Sequence, residues 1–114
     1  MSEANIGAGD IEIELDGKPY TMRPTLKAAL ALSNVQGGIS MMVQRCLNCE
    51  LDAIVSVISH GLGATSKDLP ELVYKTGMLN LNAQCIRFLH VISNGGRPPV
   101  EKEDDSEDFL SKTD

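Results

Sequence analysis

A chain of 114 residues is long enough for one modest core and too short for two. With no Trp, two Tyr and two Phe, that core has to be aliphatic. A net charge of −6 removes the basic excess on which nucleic-acid binding and attraction to anionic membranes depend, so neither partner is expected.

Residues 1–10 are small and polar, are expected to be a flexible N-terminus, and lack the basic-then-apolar order of a secretory signal. Three cysteines in such a context read as reduced thiols, and the expected location is the cytoplasm. From Ile11 the pattern sharpens. Ile11, Ile13 and Leu15 alternate with Glu12, Glu14 and Asp16, the period of a half-buried strand. Asp16-Gly17 tolerates the positive φ of a tight hairpin turn, and residues 18–23 form the return strand with Tyr20 and Met22 inward. Pro24 ends the ladder and Thr25 is a good helix N-cap.

Helices are predicted over residues 26–34, 39–47, 51–60, 69–75 and 79–93. The first is read with Leu26, Ala29, Leu30 and Ser33 along one face. Ile39, Met42, Val43, Cys46 and Leu47 mark the second, and Leu51, Ile54, Val55, Ile58 and Leu62 the third. Gly61 and Gly63 are suited to capping the third helix, and Thr65-Ser66-Lys67-Asp68 has capping-box spacing for the fourth. Leu81, Cys85, Phe88, Leu89 and Ile92 line the last, closed by Asn94-Gly95-Gly96. A two-stranded hairpin is marginal alone, so the expected fold is α+β and mostly α. It is an N-terminal hairpin packed on about five short helices, forming one domain over residues 11–96. Residues 97–114 carry seven acids and three bases and read as an acidic disordered tail.

No arrangement of acid, base and nucleophile is recognisable, no phosphate-binding loop is present, and neither an enzyme nor a cofactor is expected. Cys46-Leu47-Asn48-Cys49 has the spacing of half a zinc site, which Cys85 and His90 would complete as a small metal-binding regulatory module. Against it, Cys46 and Cys85 lie on apolar faces, where cysteine usually serves as a small core hydrophobe. His60, at a helix end, suits the dipole there. The residues singled out for partner contact are Met41 and Met42, whose side chains adapt to varied surfaces, and Phe109 and Leu110, an apolar pair among acids.

The stretch Ile13-Glu14-Leu15-Asp16-Gly17-Lys18-Pro19-Tyr20-Thr21-Met22-Arg23-Pro24-Thr25 resembles the opening hairpin of a gene transfer agent and phage tail assembly chaperone family, also labelled a tail tube family. Its members begin with a valine/glutamate-leucine-aspartate-glycine … tyrosine-threonine-leucine-arginine hairpin. Leu51-Asp52-Ala53-Ile54-Val55-Ser56-Val57-Ile58-Ser59-His60-Gly61-Leu62 is similar to the family's middle helix. The resemblance implies a chaperone that binds the tape-measure protein and helps recruit tail tube subunits, with self-association as a further possibility and no catalytic residue to carry over. The alternative it implies is a tube or tube-end subunit retained in the particle.

Overall fold

The alternation in residues 11–15 becomes strand β1 (Ile11–Leu15), paired antiparallel with β2 (Lys18–Met22) in the computed structural model, which describes residues 8–98. Ile13 faces Tyr20 and Ile11 faces Met22 in the register. Asp16 (φ 54°) and Gly17 (φ 86°) both take positive φ, the turn that matches the twist of adjacent strands. Ile11, Ile13, Leu15 and Met22 are buried, whereas Glu12 and Glu14 face outward.

Five helices follow: α1 (Leu26–Ser33), α2 (Gly38–Leu47), α3 (Leu51–Leu62), α4 (Leu69–Thr76) and α5 (Met78–Ser93). The fold class read from the sequence is therefore the one observed. α3 is the hub, touching α1, α2, α4, α5 and β2, while β1 rests on α4 and α5. Ile54, Val57 and Ile58 of α3 meet Leu81, Phe88 and Leu89 of α5 in one continuous core. No helix among the described residues is long and apolar enough to cross a membrane.

Two local contacts set how α1 leaves the sheet. The Arg23 N–H donates to the Gly61 carbonyl at 2.8 Å, and Thr25 Oγ1 accepts from the Ala28 N–H at 3.0 Å. This junction, rather than the hydrophobic pattern, fixes the roll of α1. Ala28 and Leu32 turn inward, and Leu26 and Leu30 turn out, 74% and 62% exposed. The sequence reading of that helix face is thus corrected: a small alanine allows close approach to α3, and the two leucines lie outside. Removing the cap by Thr25→Ala should lower stability by about 1 kcal/mol, measured as a shift in the urea midpoint without a change in slope.

Other expectations shift in smaller ways. Leu47 is exposed, so the buried stripe of α2 narrows to Met42 and Cys46. Gly61 is an interior residue of α3, and Gly63 alone takes the left-handed cap conformation. Ser66 Oγ accepts from the Asp68 N–H at 3.1 Å, a short turn in place of the expected capping box, and Pro70 sits in the first turn of α4. Gly9 is buried against Gly96 and Val91, so ordered packing begins before Ile11. The assignments made to residues 1–7 and 99–114 lie outside the described residues.

Candidate functional site

Met41 and Met42 part company in the structure. Adjacent helical residues point about 100° apart, and α2 turns Met42 into the core while Met41 stays 43% exposed. A side chain in the core offers nothing to a partner, which removes Met42 from the contact residues. Phe109 and Leu110 lie outside the described residues.

The cysteines separate as well. Cys46 and Cys85 are fully buried and neighbour each other between α2 and α5. The interaction with Cys46, with burial adding to it, pushes the Cys85 thiol far above its ordinary value. The interaction with Cys85 holds Cys46 below the usual thiol range against the opposing effects of burial and the Glu50 charge. The Cys85 thiol has the Ile54 carbonyl, 4.0 Å from its Sγ, as its acceptor. Cys49 is half-buried and accepts from Asn82 Nδ2 at 3.5 Å, and His90 is exposed. Among the described residues no three His, Cys, Asp or Glu side chains gather where they can hold a metal ion. The four proposed zinc ligands are therefore not brought together. His60 Nδ1 lies 2.9 Å from the Ser56 carbonyl; a carbonyl only accepts, so the proton is on Nδ1.

Several concave regions are lined by the described residues. One, of about 560 Å³, lies where the turn meets α4 and α5, and includes Glu14, Asp16, Lys75, Asn80 and Gln84. The Asp16 N–H donates to Thr76 Oγ1 at 2.8 Å there, tying the turn to the end of α4. Lys75 is 3.3 Å from Glu71, an exposed i,i+4 pair of small energetic consequence. Gln84 Oε1 is buried without a hydrogen-bond partner in this wall. Opposite, Leu15, Tyr20, Leu62, Leu69 and Leu72 enclose an apolar groove of about 190 Å³ between hairpin, α3 and α4. A third, of about 270 Å³, runs between the start of α1 and the end of α5.

The outward apolar side chains fall mainly on helices. Leu26, Leu30, Met41 and Leu47 belong to α1 and α2, and Tyr74 and Leu79 to α4 and the start of α5. Sequence reasoning placed Leu30 and Leu47 inside. The pair Ala28 and Leu32, four residues apart, was an equally good helical stripe; choosing between the stripes required the junction with β2. Compared with protein-family models, curated proteins and solved structures, the chain matches none.

Proposed function

We propose that this chain is a phage-like tail assembly chaperone that binds the tape-measure protein and helps recruit tail tube subunits in the cytoplasm of a bacterial host. The observation that carries the reading is the outward placement of Leu30, Met41 and Leu47 on α1 and α2, helices whose other faces already fill the core. A long tape-measure helix presents apolar stripes before the tube encloses it, and an exposed helical face can cover them through spaced apolar anchors. Many copies along one ligand gain avidity from modest single contacts. The hairpin resemblance over residues 13–25 supports the same assignment, and the single two-stranded sheet among the described residues speaks against a tube subunit, which closes a ring through larger sheets. The role requires no reaction at any residue.

Co-expression with the tape-measure protein encoded nearby tests the reading. The chain should capture that protein and be missing from mature particles. Replacing Leu30 and Leu47 together by Gln should weaken capture roughly tenfold, the equivalent of about 1.4 kcal/mol. Thermal stability should move by no more than about 0.5 kcal/mol per site, because both side chains already face water. Failure of capture would overturn the proposal, and recovery of the chain in purified tails would make it a structural subunit.

A further inference from the structure

We propose that the groove between the start of α1 and the end of α5 is a docking site for the chain's own C-terminal segment, with Phe109 and Leu110 as its apolar anchor. This assignment does not depend on the identity of any partner protein. The groove is apolar: Pro24, Leu26 and Ala29 form one side, and Ile92, Gly95 and Gly96 the other. Leu26 projects beside it with three quarters of its surface in water, the second most exposed large apolar side chain among the described residues.

The chain leaves the domain at this groove. Asn94 Nδ2 donates to the Arg97 and Pro98 carbonyls, each at 3.2 Å, which holds the exit beside Gly95 and Gly96. Ten residues lie between Pro98 and Phe109, eleven Cα steps with a reach of at most about 40 Å when fully extended. A site lined by residues 95 and 96 is therefore well within range, and a tether of this length holds its anchor at an effective concentration on the order of millimolar.

Charge favours the same occupant. Arg23, Lys27 and Arg97 are exposed, and each is one residue from a member of the groove lining. The described ion pairs join Arg45 to Glu50 and Lys75 to Glu71, leaving these three bases outside them. Asp10, next to Gly9 which packs on Gly96, is a described acid near that side and has an interaction of its own. Between exit and anchor the chain carries six acids, Glu101, Glu103, Asp104, Asp105, Glu107 and Asp108, against the single base Lys102. No acid occupies the first turn of α1, so its positive end is unopposed by its own side chains. Phe109 and Leu110 are the one adjacent pair of large apolar residues after Pro98.

The test compares amide and methyl NMR spectra of the full chain with those of the F109A/L110A double variant. Both changes follow the described hairpin and helices in sequence and leave every side chain of those elements as it is. The expected result is movement of the Leu26, Ala29, Gly95 and Gly96 resonances, with those of Leu47 and Tyr74 unchanged and the difference independent of protein concentration. Added salt should move the parent spectrum toward the variant, because screening weakens attraction between exposed charges. Identical groove resonances in the two proteins would overturn the proposal. So would movement confined to another surface, or a difference that vanishes on dilution, which would assign the groove to a second copy of the chain.

Discussion

Leu15→Asp should abolish the cooperative thermal transition of the domain or lower its midpoint by more than about 20 °C, since each kcal/mol shifts a domain of this size by about 4–8 °C. Leu15 is 1% exposed and lies among Tyr20, Leu62, Leu69 and Leu72, with no cationic side chain in that groove wall to meet a carboxylate. The substitution forfeits roughly 2 kcal/mol of apolar burial and adds the several-kcal/mol cost of an unpaired buried polar group or charge. A domain of about 90 ordered residues has a total stability of roughly 5–14 kcal/mol, so the loss consumes much or all of it. Glu14→Gln, one residue away on the outward face of the same strand, should change stability by less than about 0.5 kcal/mol. Circular dichroism melts of the two variants check the assignment of faces, and a Leu15→Asp protein that melts like the parent would contradict it.

Gly61→Ala should lower stability by about 1–2 kcal/mol, although the same change at an open helical site stabilises by nearly 1 kcal/mol. The sign reverses because a β-carbon on Gly61 would stand 2.8 Å from Met22 Cβ and 2.9 Å from its Cγ. Met22 Cβ is tied to the strand and cannot swing aside. The Arg23 N–H, adjacent to Met22, is bonded to the Gly61 carbonyl at 2.8 Å, so relief of the clash strains the contact that holds the hairpin on α3. Overpacking of this sort costs about 1–3 kcal/mol, enough to exceed the gain in helix propensity. Gly61→Val, with two further methyl groups, should lose more. Urea denaturation measures both, and stabilisation by Gly61→Ala would show that hairpin and helix separate freely.

These two positions also mark what a linear reading can and cannot see. β1 and the turn were legible to the residue, because a period of two and an Asp-Gly turn are local signals and the burial of β1 follows them strictly, whereas the return strand stops at Met22 instead of residue 23 and leaves Tyr20 only half-buried. The inward face of α5 was legible too: Leu81, Cys85, Phe88, Leu89 and Ile92 recur at helical spacing and all are buried. Gly61 was misread as a cap because nothing local distinguishes a glycine that ends a helix from one that admits a strand. α1 failed for a similar reason, since two stripes compete over eight residues and a contact between Arg23 and Gly61 decides between them. The meeting of Cys46 with Cys85 joins positions 39 apart, and the three grooves are made between elements, so neither is encoded in any one segment. Of the residues picked for partner contact, Met41 lies outward and Met42 does not, a distinction set by helical phase.

The bond from the Asp16 N–H to Thr76 Oγ1 spans 60 positions of sequence. β1 and β2 meet through a two-residue turn, yet the apolar side of β1 is roofed by α4 and α5, the last of the described elements to be made. During synthesis the oldest part of the domain is thus the part that waits longest for its cover. Ile11, Ile13 and Leu15 stay open to water, or to whatever else binds them, until the ribosome has released α5. Long-range closure of this kind slows folding relative to purely local helix pairing. It also places the final commitment of the fold near the C-terminal end of α5, beside the groove at which residues 97 and 98 depart.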